Sequence, residues 1–394
     1  MAPAVAAPPS LIRARRLLGA AFVLLLATVT LGLSWDRSWH ATHAFDSFYS
    51  PPHIFIYSLS ILTVGLVSGI TITPGLRRWF GSGFRVPAVP FAVPGPLAIA
   101  CVGLAMLALA AALDDVWHSN FGLDETGWST PHAMLGWGWL ITFLGFVACR
   151  LALRAYWPLR WFVAVLIGLL AIGFSATPFL GPLNRNHLPE QVQAIGSIPV
   201  LAAQTAAQHK FRIEVDWNLS RTNPVLLPLG ALWAGAALGL LRAVDRRARV
   251  FLATLTLWTL LTALGGLGAS RRLDQFLHLQ LATAPAAWLP LPLLPAGMVL
   301  GGLIALRVPE QWAWSVAGVA FGLCVLLVWG ARPPQIALAL LAAPATVLGS
   351  SIGQRAYRVL EDPSRAGVKM LALAGVGVPF LFGLVDLYLR HTTP

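Results

Sequence analysis

Residues 35–53 read WDRSWHATHAFDSFYSPPH and lie between two apolar runs, 17–34 and 54–74. Each run is close to the ~20 residues that cross a bilayer as a helix. A polar stretch joining two such runs is the tip of a transmembrane hairpin. Asp36 and His40 are four residues apart, so a helix brings them to one face. Pro51 and Pro52 precede His53, and proline suits the first turn of a helix. His53 therefore opens the return helix, at a membrane depth similar to that of Asp36 and His40. Two imidazoles and a carboxylate from adjacent helices make a three-ligand metal site with open positions.

The pattern occurs twice. Residues 113–132 read LDDVWHSNFGLDETGWSTPH. Asp114 and His118 repeat the spacing of Asp36 and His40, and Trp117 stands before His118 as Trp39 does before His40. A further acid follows that histidine by six in both copies, Asp46 and Asp124, and is placed to orient a ligand imidazole. A Pro-His pair then opens the next helix, at His53 and at His132. The copies differ by one residue inserted after Asp124, and the repeat period is about 78 residues. The duplicated unit is a helix hairpin. Trp, Asp and His also occur at membrane boundaries without any metal. Two copies in one order favour a site, because ionisable groups near the apolar layer are costly.

The rest of the chain fits this reading. It has 394 residues, 57% hydrophobic and 11% charged, against about 25% charged in a soluble domain. Apolar blocks recur at 96–113, 133–149, 161–177, 224–241, 250–268, 283–306, 312–331, 335–352 and 369–389. The expected fold is an all-α polytopic membrane protein with about eleven transmembrane helices. The blocks are continuous, not the ten-residue alternations of a barrel. Residues 1–155 form the duplicated hairpin unit, with about four helices. Residues 156–394 form a bundle of about seven, with a long loop at about 178–223 covering the outer face.

Orientation follows from the arginines and lysines, which favour cytoplasmic loops. With the N-terminus cytoplasmic and the C-terminus outside, 18 of the 27 basic residues face inward. All nine histidines and eleven of the fifteen acids then face outward, which puts the chemistry at the periplasmic or extracellular side of the inner (plasma) membrane. The net charge of +12 is explained by these loops, and no nucleic-acid partner is expected. Arg13, Arg15 and Arg16 precede the first apolar run with no small-residue cleavage site after it, so that run is read as an uncleaved helix.

Cys101, Cys149 and Cys324 lie in or beside apolar blocks with no paired spacing and read as packing residues. Asp274 and His278 repeat the four-residue spacing and are a candidate third site, though no Pro-His follows them. His43, His187, His209, Glu214, Asp216, Asp386 and His391 have ligand chemistry without readable spacing. No phosphate-binding loop, nucleophile elbow or zinc-protease motif is present.

The first copy strongly resembles the C-type subunit of the copper membrane monooxygenases, the particulate methane and ammonia monooxygenase family. The resemblance lies in Asp36, Trp39, His40, Asp46, Tyr49, Ser50, Pro51, His53, Ile54 and Tyr57 at their spacing here. The second copy is similar to the second metal motif of the same family, with Asp114 where the family usually has Asn. Glu125, beside Asp124, also fits it. The likeness covers about residues 15–150. It implies copper at Asp36, His40 and His53 and at Asp114, His118 and His132, with Asp46, Asp124 and Glu125 behind the ligands. It also implies dioxygen-dependent oxidation of ammonia or small apolar molecules. Carboxylate ligation by itself equally permits iron or zinc.

The expected function is a copper-binding membrane oxidase or monooxygenase, or a subunit of one. The alternative is a non-catalytic membrane protein for copper acquisition, storage or sensing. The expected partners are the lipid bilayer and either other monooxygenase-type subunits or further copies of the chain as a homo-oligomer.

Overall fold

The structure, a computed structural model, describes residues 7–33, 35–36, 48–87, 89–121, 129–153, 161, 164–165, 169, 226–244, 293–329, 336 and 339–392. These residues are mostly helical. Helix α1 is Pro9–Ala27, continued by a π turn over Thr28–Gly32. Helix α2 is Pro51–Ile72, and a single turn, α3, follows at Pro74–Arg77. Strands β1 (Gly83–Arg85) and β2 (Ala92–Pro94) form a small antiparallel hairpin. Helix α4 (Gly95–Phe121) and helix α5 (Thr130–Ala152) come next. Then follow α6 (Leu226–Val244), α7 (Leu293–Ala305), α8 (Glu310–Trp329), α9 (Ala342–Glu361) and α10 (Arg365–Thr392).

Five of the helical stretches are long and apolar enough to cross a membrane: Pro9–Gly32, Pro51–Ile72, Gly95–Trp117, Thr130–Ala152 and Arg365–Leu384. Helices suit that setting because they satisfy their own backbone polar groups. Hydroxyl side chains follow the same rule. Thr28, Thr63, Thr71, Thr142 and Thr346 are all buried, and each donates to the carbonyl four residues back, at 2.7–2.9 Å. The expected spans at 161–177 and 250–268 fall mostly or wholly outside the described residues. At 283–306 the described helix begins at Leu293, after Pro285, Pro290 and Pro292.

The first four long helices alternate in direction. Helix α1 packs on α2, α4 on α5, and α2 on α4. Phe22 of α1 meets Phe143 and Phe146 of α5 at 5.2 and 6.1 Å. At one end of this group, Ser10 accepts hydrogen bonds from Arg78 and Trp79 at 3.1 and 3.2 Å. The β-hairpin lies there too, with Arg77 stacked 4.2 Å from the Phe91 ring. The carboxyl ends of α1 and α4 and the amino ends of α2 and α5 share the opposite end. Helix α10 packs against α4 and α5, so the C-terminal segment completes the bundle around the second hairpin.

Small residues set the closest approaches. A Cβ on Gly103 would meet Thr142, and one on Gly145 would meet Ala100, which holds α4 tight on α5. Helices α6 and α9 face each other through Gly235 and Gly239 on one side and Gly349 and Gly353 on the other. Added Cβ atoms there would strike the backbone of Thr346, Ser350, Leu232 and Ala236. Such small-xxx-small pairs let membrane helices pack closely. Gly353→Val should therefore lower the thermal midpoint in detergent, since overpacking costs about 1–3 kcal/mol. Gly302→Ala, where a Cβ meets nothing within 4 Å, should not.

Arg242 of α6 reaches Glu310 of α8 at 3.2 Å, tying two helix ends together. The sequence pattern ends a span at 352, whereas α9 runs to Glu361. Gln354, Arg355, Ala356 and Arg358 are strong helix formers, and the Tyr357 hydroxyl donates to Glu361 one turn on at 3.2 Å.

Candidate metal centre at two hairpin ends

Both hairpins bring the expected carboxylate to the expected Pro-His histidine. Oδ1 of Asp36, just past the π turn that ends α1, lies 3.0 Å from Nε2 of His53 at the start of α2. Oδ1 of Asp114, on α4, lies 3.4 Å from Nδ1 of His132 at the start of α5. The residues within each pair are far apart in local structure, so the hairpin fold itself sets these distances. Metal–ligand bonds of about 2.1 Å put two donors on one ion about 3.0 Å apart at a right angle and about 3.4 Å apart at the tetrahedral angle. The donor chemistry and spacing of both pairs fit a divalent ion.

The pairs are sheltered. Asp114 is buried at 7% exposure, and the side chains of Asp36 and His53 are 19% and 16% exposed. Around the first pair, Trp35 packs on Phe55 at 5.8 Å. Tyr57, one turn after His53, lies 5.8 Å from its ring and 4.8 Å from Phe48. These aromatics give the first pair an apolar flank. The position matching Tyr57 in the second hairpin is Gly136. Helix α10 instead closes on that end, where Gly383 approaches Thr130.

The third expected ligands differ in status. The backbone of α4 carries Asp114 and His118 on one continuous helix, one turn apart, while the His118 side chain lies outside the described part. His40 lies outside it entirely, as do Asp46, Asp124, Glu125, Asp274, His278 and the long outer loop. Among the described residues, no three His, Cys, Asp or Glu side chains gather as a metal cluster.

Ligand spacing alone passes over one residue at the second pair. Ser129 caps α5, and its Oγ accepts from the backbone N–H of His132 at 3.4 Å. The same Oγ lies 3.0 Å from Nδ1 of His132. The signal was present, since a serine three residues before a histidine at a helix start is the capping relation. Ser50 stands in the matching place with nearly the same backbone, φ −58° and ψ 150° against −62° and 149°. It makes no side-chain cap, and its hydroxyl has no hydrogen-bond partner among the described residues.

Fold and site together define the class: an all-α membrane protein with two related Asp–His pairs at helix-hairpin ends. No family model, curated protein or solved structure matches the chain.

Proposed function

We propose that the chain is a copper-binding membrane protein whose two hairpin ends each hold one ion through Asp, His and His. The ligand sets are Asp36, His40 and His53, and Asp114, His118 and His132. The observation that carries this reading is the recurrence of the Asp–His contact in both copies, at 3.0 and 3.4 Å. Interfacial residues with no common task have no reason to pair twice. The choice of copper rests on the resemblance to the copper membrane monooxygenases. The chain is taken to cross the inner membrane about eleven times, N-terminus inside and C-terminus outside, with both sites toward the outer face.

Copper bound there supplies one-electron redox chemistry and open positions for dioxygen. The protein's own part is to hold and shield. Asp36 and Asp114 offset the charge of a cation at a costly depth. Phe48, Tyr49 and Tyr57 provide an apolar flank at the first site, where a small apolar substrate can rest. On this basis the chain acts as an oxygen-dependent oxidase or monooxygenase, or as a subunit of one.

The copper-loaded chain, supplied with a reductant and a small alkane or ammonia, should consume oxygen in proportion to its bound copper. Copper binding with no oxygen uptake would instead favour acquisition, storage or sensing.

A further inference from the structure

We propose that the second hairpin end is completed by a third helix, with Asp386 of α10 standing behind the His118 imidazole and positioning it toward the metal ion. This inference rests on the metal reading above and leaves the three ligands of that end as they are. Asp386 comes from the far end of the chain and acts alongside Asp124, the acid that spacing assigns to the same hairpin.

The face of α10 is the starting point. The helix runs unbroken over Arg365–Thr392, and Val368, Gly375, Pro379 and Gly383 are buried along it. Asp386 follows Val368 by eighteen residues, which is five turns. It follows Gly375 by eleven residues, which is three turns to within about 20°. The register therefore puts Asp386 on the side of α10 that packs on α4 and α5. A Cβ on Gly375 would meet Met106 of α4 and Ile141 of α5, and one on Gly383 would meet Thr130 at the start of α5. Helix α10 thus runs toward the tip of the second hairpin, parallel to α4 and antiparallel to α5.

Depth along the bundle then singles out His118. Gly383 is level with Thr130. Asp386 lies three residues from that contact toward the tip, and His132 lies two residues from it the other way, so about 7.5 Å separates their levels. His118 lies one turn nearer the tip than Asp114, about 6 Å, and Asp114 is the residue that meets His132. A second count agrees. His118 is twelve residues beyond Met106, about 18 Å, and Asp386 is eleven beyond Gly375, about 16.5 Å. By either route the backbones of Asp386 and His118 share one level to within about 1.5 Å. The apolar stretch Arg365–Leu384 ends two residues before Asp386. An acid beside the apolar layer is costly and calls for a partner. A carboxylate behind a metal-bound imidazole accepts from its far nitrogen, fixes the ring and raises its basicity. Arg390, one turn beyond Asp386 on α10, is the competing partner.

The test uses full-length protein in mild detergent with Cu(II) alone as probe. His53→Ala leaves only the second end, and His132→Ala leaves only the first. A competing chelator reads affinity, and pulsed electron paramagnetic resonance reads the imidazole nitrogen remote from copper. In the His53→Ala background, Asp386→Asn should weaken copper binding about tenfold to a hundredfold and shift the remote-nitrogen signal. Asp386→Glu, which keeps the charge, should restore most of the affinity. Arg390→Gln should not weaken binding. In the His132→Ala background, Asp386→Asn should change neither reading. Copper bound as tightly in Asp386→Asn as before, with an unaltered signal, overturns the inference alone. Equal weakening by Arg390→Gln does so too, since Asp386 would then serve only its helix end, and so does equal weakening in both backgrounds. No copper in either background overturns the metal reading and the inference with it.

Discussion

Copper should raise the thermal midpoint of the purified chain, and His53→Ala combined with His132→Ala should abolish that rise. An ion that binds only the folded state at a thousand times its dissociation constant adds about 4 kcal/mol of stability. Two such sites make this the largest effect expected from any change to the chain. Each histidine starts a return helix and meets its aspartate across the hairpin, so an ion held there clamps two helices together. Either single substitution should leave part of the rise, because the other hairpin keeps its ligands. Adding a strong chelator to the unmodified chain should lower its midpoint to that of metal-free protein. An undiminished copper response in the double variant would place the ion elsewhere.

The second large effect concerns the metal-free protein. The Asp114 side chain is 10% exposed, and His132 is its partner at 3.4 Å. Removing a polar group that lies against a buried carboxylate costs about 1–3 kcal/mol. His132→Ala should therefore destabilise the metal-free chain strongly. Removing Asp114 as well should restore part of the loss, with a coupling of about 1–3 kcal/mol in a double-mutant cycle. The same cycle on Asp36 and His53 should give a smaller coupling, since Asp36 is 19% exposed and nearer water. Equal, additive losses at Asp114 and His132 would mean that the two side chains do not act on each other.

Much of this was readable in the residues. The polar tip at 35–53 between two apolar runs specified a hairpin, and its repetition at 113–132 specified a second. The Pro-His pairs marked the starts of α2 and α5 within a few residues. Asp36 and Asp114 meet the histidines that spacing assigned to them. Other features depend on neighbours that spacing does not identify. Ser50 and Ser129 have the same residue type and backbone, yet only Ser129 engages its histidine. One histidine has Tyr57 beside it and the other has Gly136 at that place. The π turn over Thr28–Gly32 leaves no mark in an apolar run that reads as ordinary helix. The β-hairpin at 83–94 pairs three residues a side, too few to show an alternation. Glycines 235, 239, 349 and 353 were visible, but their mutual contact is a tertiary fact.

Each hairpin end is proposed to bind one metal ion, and His40 and His118 are the ligands assigned by spacing alone. Metal content by elemental mass spectrometry of the purified chain, His40→Ala, His118→Ala and the double variant tests it most directly. The three-ligand account predicts about two ions per chain, about one in each single variant and almost none in the double. The same metal content in all four proteins would contradict it.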